Sequence, residues 1–218
     1  TVNSYHDGTH DFGDLLRAVG AVAGLRRVRF TSPYPTEFTP RVIEAMAGTP
    51  AVCEHVHLPV QSGSDAVLRR MLRRYTRARY LDVVAELRAA MPGITISTDI
   101  IVGFPGETEA DFADTLSLVD EAGFDEAYTF LYSARDGTPA VRIPGHVPEE
   151  VGADRLQRLI AHVRAGTRRR NAGRVGTVHE VLVERPARRG GQMLGRTRSN
   201  LLVVLDLSPD TIGEYRTV

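Results

Sequence analysis

Hydrophobic residues switch repeatedly between strand and helical spacing along the first two thirds of the chain, and this alternation most constrains the fold. Strand spacing is found over 25–31, 54–60, 94–102 and 125–132. Helical spacing is found over 12–23, 39–47, 64–72, 77–90 and 107–122. Strands separated by helices predict a parallel sheet with helical crossovers, as in part of a (β/α) barrel. Four strands do not close such a barrel, so we expect its first units to lie outside this sequence.

The spacing changes in the last third of the chain. A long helix is expected over 149–172. Short strand-like runs separated by turn residues follow at 177–184, 192–197, 200–206 and 211–216. They predict a small antiparallel β domain, arranged as an open barrel. We therefore expect two domains, a partial (β/α) barrel with a long C-terminal helix over 1–174 and a β domain over 175–218.

Composition excludes several classes of protein. The chain has 218 residues, zero net charge and one cysteine, Cys53, so neither a disulfide framework nor a self-contained cysteine-ligated cluster can form. A cytoplasmic location is expected, and neither a membrane span nor a secretory signal is predicted. All 27 basic residues are arginine. A barrel aldolase or phosphate-sugar enzyme would need a Schiff-base lysine or a dedicated acid–base pair, and neither is found.

Charge is unevenly distributed along the chain. Six of the eleven residues in 69–79 are arginine, whereas 164–198 contains ten arginines and two glutamates. A basic cluster indicates either an ordinary solvated face or a nucleic-acid surface. We expect the second cluster to bind RNA, because arginine pairs with phosphates and stacks on unpaired bases. The residues expected to do so are Arg188, Arg189, Arg196 and Arg198.

Polar residues follow three of the expected strands where each strand ends, in the segments 58–65, 99–107 and 132–139. The carboxyl ends of parallel strands meet at one edge of a sheet, where α/β proteins bind ligands. The candidate ligand contacts are Gln61, Ser62, Ser64, Asp99 and Arg135. Each segment also has a structural explanation, such as a helix cap or a turn, but three at one edge favour a binding site.

These segments resemble the radical S-adenosylmethionine methylthiotransferases. The resemblance is carried by RFTSP at 29–33, HLPVQSGS at 57–64, Met71, Tyr75, Thr76, DIIVGFPGET at 99–108, YSAR at 132–135 and LGRT at 194–197. It implies a tRNA-modifying enzyme that transfers a methylthio group to C2 of isopentenyl-adenosine beside the anticodon. Branches of the family acting on threonylcarbamoyl-adenosine or a ribosomal protein remain alternatives. A non-catalytic RNA-binding protein is an alternative of another class.

The resemblance also implies cofactors and partners. The full-length family enzyme uses S-adenosylmethionine and two 4Fe-4S clusters, whose cysteines this sequence lacks, so we expect this chain alone to be inactive. By analogy, Gln61, Ser62 and Ser64 would line the ribose or methionine side of S-adenosylmethionine. Asp99 would face the cavity, and Arg135 would reach the methionine carboxylate or a phosphate. The β domain resembles a truncated TRAM domain, an RNA-binding barrel. We expect a monomer that binds the tRNA anticodon stem-loop.

Overall fold

Helices and strands alternate along most of the computed structural model, which describes residues 1–188 and 190–218. The helices are α1 (Phe12–Gly20), α2 (Pro40–Gly48), α3 (Asp65–Arg70), α4 (Arg77–Ala90), α5 (Glu109–Ala122) and α6 (Glu149–Ala172). The strands are β1 (His55–His57), β2 (Thr95–Val102), β3 (Glu126–Leu131), β4 (Glu180–Pro186), β5 (Met193–Thr197), β6 (Leu202–Leu205) and β7 (Tyr215–Thr217). No helix in these described ranges has the length and hydrophobicity needed to cross a membrane.

The first three strands form a parallel sheet in the order β1-β2-β3. Side chains alternate between its two faces. Ile96, Ile100 and Val102 of β2 are buried in the main hydrophobic core together with residues of the surrounding helices, such as Tyr80 and Phe112. The predicted α/β class is therefore confirmed, and the other face of the sheet is left for polar side chains.

Two of the expected parallel strands are shorter than predicted. Residues 25–31 form only a single bridge, between Val28 and Val52. The ladder of β1 stops at His57 because Pro59 has no N–H to donate. The amide of Val60 instead donates to Thr98 Oγ1 at 2.9 Å. Pairing returns as an isolated bridge between Gln61 and Ile100.

The last four strands form an antiparallel sheet in the order β6-β5-β4-β7. Val181, Val183, Met193 and Leu205 form its small core. Gly195 of β5 lies so close to β4 that a Cβ there would be 2.7 Å from the carbonyl oxygen of Leu182. The predicted antiparallel β module is therefore observed.

The turn between β5 and β6 covers the amino-terminal edge of the parallel sheet. Thr95 Oγ1, at the start of β2, donates a hydrogen bond of 2.5 Å to the carbonyl of Ser199. Arg27 Nη1 donates to the carbonyl of Arg196 at 2.8 Å. The antiparallel sheet is thus attached at the opposite end of β2 from the edge where Gln61 lies.

Candidate functional site

Four polar side chains form a continuous row on the face of the parallel sheet opposite its buried isoleucines. His55 Nε2 lies 3.1 Å from Ser97 Oγ, and Ser97 Oγ lies 2.9 Å from His57 Nδ1. His57 Nε2 lies 3.2 Å from Asp99 Oδ2. Residues two apart on a strand share a face, and His57 is directly opposite Ser97 in the register. The row therefore runs along the strands and presents Asp99 near the carboxyl edge.

Aromatic side chains of β3 continue this face. The Tyr128 ring lies 5.8 Å from the His57 ring in an edge-to-face arrangement. Tyr128 and Phe130 are 47% and 50% exposed, which is high for aromatic residues in a parallel sheet. An exposed aromatic surface beside a carboxylate can stack on a planar heterocycle while the carboxylate accepts its hydrogen bonds.

Gln61 and Asp99 are brought together at the carboxyl edge. The amide of Gln61 donates to the carbonyl of Asp99 at 2.8 Å, and the amide of Ile101 donates to the carbonyl of Gln61 at 2.9 Å. Gln61 has a φ of 69°, a left-handed conformation that is uncommon outside glycine. These backbone bonds hold Gln61 in that conformation. Gln61 is 8% exposed, and its side-chain amide forms no hydrogen bond with any described residue.

Ser62 and Ser64 have structural partners. Ser62 is fully buried, with its Oγ 3.4 Å from Thr115 Oγ1 of α5. Ser64 Oγ caps α3 by accepting from the amide of Ala66 at 3.2 Å, and it donates to Asp111 Oδ1 at 2.5 Å. In this structure both serines fix the loop after β1 to α5. Their contact with a cofactor stays a prediction.

Glu107 fixes the loop after β2. Its side chain is fully buried, accepts from the amide of Gly103 at 2.7 Å and pairs with Arg155 Nη1 of α6 at 3.0 Å. Burial raises the pKa of Glu107, although the bonds from Gly103 and Arg155 oppose this shift. Glu107 precedes the first residue of α5, Glu109. The buried bonds of Glu107 to Gly103 and α6 depend on tertiary packing.

Arg135 lies in the exposed loop after β3. It forms no hydrogen bond with Gln61 or Asp99, and its carbonyl accepts from the amide of Thr138 at 3.1 Å. The structure therefore places Arg135 beyond the carboxyl edge without joining it to the other candidates. Its binding of a carboxylate or phosphate stays a prediction.

The four arginines expected to bind RNA have different environments. Arg198 Nη2 contacts Glu54 Oε1 at 2.9 Å and the carbonyl of Pro50 at 2.8 Å, both in the parallel-sheet part of the chain. Arg196 pairs with Glu184 at 3.3 Å. Arg188 is exposed, and Arg189 lies outside the described residues. RNA binding by this group stays a prediction, and two of its members hold intramolecular contacts.

Cys53 does not fit the role of a cluster ligand. It is buried, and burial raises the pKa of its thiol, which favours the neutral form over the metal-binding thiolate. A cubane cluster needs three or four protein ligands. Within residues 1–188 and 190–218, no group of three or more His, Cys, Asp or Glu side chains is arranged to hold a metal ion.

His57, Ser97 and Tyr128 were not identified as site residues from the sequence. The available signal was the alternation in His-Val-His at 55–57 and in Ser-Thr-Asp at 97–99, which places polar residues on one face. The parallel register was needed to show that these two polar faces meet.

Comparison with known proteins identifies both parts of the chain. Residues 5–119 match the radical SAM superfamily, and residues 173–218 match the TRAM domain. The fold is similar to that of coproporphyrinogen III oxidase from Escherichia coli, a radical SAM enzyme, with a TM-score of 0.53 and 16% identity. That alignment covers 82% of this chain and 51% of the oxidase.

Similarity to curated relatives extends along nearly the whole chain. Three proteins named tRNA-2-methylthio-N(6)-dimethylallyladenosine synthase are 52%, 51% and 46% identical to it, from Deinococcus radiodurans, Thermus thermophilus and Clostridium botulinum. The alignments cover 96%, 95% and 100% of this chain but 42%, 45% and 49% of these relatives. The chain therefore spans under half the length of the relatives it matches. From its family match, its fold and these relatives, the chain belongs to the radical SAM superfamily and carries a TRAM domain.

Proposed function

We propose that this chain forms the radical SAM and RNA-binding parts of a tRNA methylthiotransferase that acts at C2 of N6-dimethylallyladenosine, also called isopentenyl-adenosine. The observation that carries the proposal is identity of 46% to 52% to synthases of that name across both the parallel and the antiparallel sheet. Such an enzyme would work in the cytoplasm on the anticodon stem-loop of tRNA. We place the division between its two domains at residues 174 and 175, which is supported by the TRAM match beginning at residue 173.

The carboxyl edge of the parallel sheet fits S-adenosylmethionine. The side-chain amide of Gln61 has no partner among the described residues, and the carboxylate of Asp99 on the neighbouring strand is partly exposed. An amide and a carboxylate suit the hydroxyl and amino groups of this cofactor. Gln61 and Asp99 would contact S-adenosylmethionine directly, and Arg135 would reach the carboxylate of its methionine part. Ser62 and Ser64 would hold the loop after β1 in place.

In this superfamily S-adenosylmethionine would supply a deoxyadenosyl radical after one-electron reduction by a 4Fe-4S cluster, and the protein orients and shields the reacting groups. In this chain, His57 holds the carboxylate of Asp99 through a contact of 3.2 Å, and Ser97 fixes the ring of His57 from its other nitrogen. The exposed rings of Tyr128 and Phe130 would stack on the base. The single buried cysteine does not fit an iron–sulfur cluster, so no role of this chain depends on holding one.

Analysis of tRNA from a strain lacking the gene tests the function. We expect 2-methylthio-dimethylallyladenosine to disappear and dimethylallyladenosine to accumulate, as measured by mass spectrometry of tRNA nucleosides. The intact gene should restore the modification. Loss of the methylthio derivative of threonylcarbamoyl-adenosine instead would assign the other tRNA branch, and an unchanged nucleoside profile would overturn the proposal.

Restoration with Asp99→Asn tests the site in the same strain. We expect less than a tenth of the modification, because the amide lacks the charge that orders His57 and contacts the cofactor. Calorimetry on the purified 218-residue variant should show weaker S-adenosylmethionine binding than in the parent. Unchanged modification and affinity would remove Asp99 from the site.

A further inference from the structure

The end of α3 and the turn that follows it carry arginines without an ion-pair partner among the described residues. Of the six arginines in 69–79, Arg77 pairs with Glu121 at 2.7 Å and Arg79 pairs with Glu86 at 2.8 Å. The other four form no ion pair with any described carboxylate, and we call them the arginine rim: Arg69, Arg70, Arg73 and Arg74. Uncompensated charges close together favour binding of a polyanion.

The arginine rim borders the carboxyl edge of the parallel sheet. Tyr75, in the same turn, donates from its hydroxyl to the carbonyl of Val60 at 3.1 Å, next to Gln61. The guanidinium of Arg70 lies 3.2 Å from the position that a Cβ would occupy on Gly106, in the loop after β2. The rim therefore lies beside the loops that present Gln61 and Asp99.

Two arginines of the rim contain buried donors without partners. Arg70 Nη1 and Arg73 Nε are buried and form no hydrogen bond with the described residues. Leaving a buried donor without a partner is unfavourable. Arg73 also lines an open cavity of about 300 Å³, in which four arginines face one carboxylate; the other lining residues are Asp65, Arg69, Arg74, Tyr75, Thr76 and Arg79. A phosphate group in this cavity would supply acceptors for Arg73 and for the exposed Arg69 and Arg74.

Leu72 projects from the middle of the rim. It is 74% exposed and has a φ of 56°. A leucine in the left-handed region is strained and is kept only where the surroundings impose it. An exposed apolar side chain between arginines suits the sugar or base face of a nucleotide whose phosphates the arginines hold.

We propose that the arginine rim binds the phosphate backbone of the tRNA substrate next to the reacting base, with Leu72 covering a nucleoside face. The proposal rests on the proposed function and identifies how that substrate is held. Arg198 lies at the opposite edge of the sheet, where it forms an ion pair with Glu54. The eight residues of β2 separate the two edges by roughly 25 Å, so a base at Asp99 needs phosphate contacts close to the carboxyl edge.

Fluorescence anisotropy with a labelled anticodon stem-loop RNA and the 218-residue chain tests the proposal. The variant Arg69→Gln, Arg73→Gln, Arg74→Gln should bind at least tenfold more weakly at about 100 mM salt. The slope of log affinity against log salt should fall by about one for each lost phosphate contact. Since Arg73 is partly buried, the double variant Arg69→Gln, Arg74→Gln provides a second test with two exposed side chains. Both variants should melt cooperatively.

A matched control removes three exposed arginines outside both arginine clusters, as Arg17→Gln, Arg41→Gln, Arg142→Gln. It should lose less than threefold in affinity, because its charges lie outside the rim. Equal losses of affinity in the control and the rim variant would overturn the proposal, because binding would then depend on the total positive charge and not on its position. A loss confined to the control would overturn it in favour of another RNA surface.

A separate variant isolates the apolar contact. Leu72→Gly adopts the left-handed conformation without strain, so it should keep its stability but bind the RNA about threefold or more weakly. Unchanged affinity would remove Leu72 from the proposal. The anisotropy experiment measures RNA binding without catalysis, so it can fail independently of the proposed function. If the rim variant lost RNA binding but gene deletion left the tRNA nucleosides unchanged, the proposed function would be rejected and the RNA-binding surface would stand.

Discussion

At the scale of single residues, His55 on the open face of the parallel sheet has a pKa that is shifted by its surroundings. His55 begins the polar row and lies between Ser97 and Asn200, whose Nδ2 is 3.4 Å from His55 Nε2. Burial is the main cause that lowers the pKa of His55 to about 4, and the charge of Arg29 adds to it. His55 therefore remains neutral at physiological pH, and its protonation opposes folding.

The substitution His55→Gln should make stability less dependent on pH. The pKa of His55 is lowered on folding from 6.5, so its contribution is present above pH 6.5 and is lost as pH falls towards 4. Between about pH 7.5 and 5 the parent should lose roughly 2 kcal/mol more than the variant. Urea unfolding at both pH values measures this difference. Parallel pH profiles of the two proteins would contradict the assigned protonation state.

At the scale of helices and strands, the loop after β2 is fixed by the buried ion pair between Glu107 and Arg155. The substitution Arg155→Met removes the partner and leaves a carboxylate in a fully buried position. Breaking such a pair costs about 3–5 kcal/mol. In the variant the pKa of Glu107 should rise further above its unfolded value, so stability should fall as pH rises from about 4.5 to 8. Thermal melts across this range measure the effect.

The control for this prediction is Arg158→Met on the same helix. Arg158 pairs with Glu109 at 2.5 Å, but both side chains are largely exposed. Exposed pairs contribute about 0–1 kcal/mol, so the control should change little at any pH. A similar loss in both variants would show that burial does not distinguish these two pairs.

Local signals predicted the helices more accurately than the strands. The expected helices over 77–90 and 149–172 have these bounds in the structure, because helix periodicity and hydrogen bonds are local to the segment. Residues 25–31 have strand spacing but pair only through Val28. A ladder depends on distant partners, and here Arg27 and Arg29 donate to carbonyls of the antiparallel part instead.

The candidate site, like the helices and strands, could be predicted from the sequence only in part. Gln61 and Asp99 meet as expected, because the carboxyl ends of neighbouring parallel strands share an edge. The burial of Ser62 against α5 was not predictable, since it depends on how closely that helix approaches. A Cβ on the adjacent Gly63 would lie 2.5 Å from the carbonyl oxygen of Asp114. Sequence spacing contains no information on this approach.

At the scale of the whole molecule, arginines connect the two sheets. Arg27 donates to the carbonyl of Arg196 and pairs with Glu180 at 3.1 Å, and its side chain is almost fully buried. Arg198 reaches back in the other direction to Glu54 and the carbonyl of Val52. These reciprocal contacts fix the TRAM domain at the amino-terminal edge. RNA bound by both domains would therefore span from this edge to the arginine rim.

The substitution Arg198→Met should loosen this attachment without unfolding either sheet. Methionine keeps much of the apolar stem but loses the charged bonds to Glu54, Pro50 and Val52, and hydrogen bonds of charged groups contribute about 1.5–3 kcal/mol each at most. The connection 173–179 has side chains at Val175 and Val178 that are 84% and 74% exposed, so a nonspecific protease should cleave it several times faster once the domains separate. The exposed Arg188 provides the control, since Arg188→Met removes the same charge without affecting the contact with Glu54. Equal cleavage rates in the parent and in both variants would show that the TRAM domain is held by other contacts, with the buried Arg27 as the next to change.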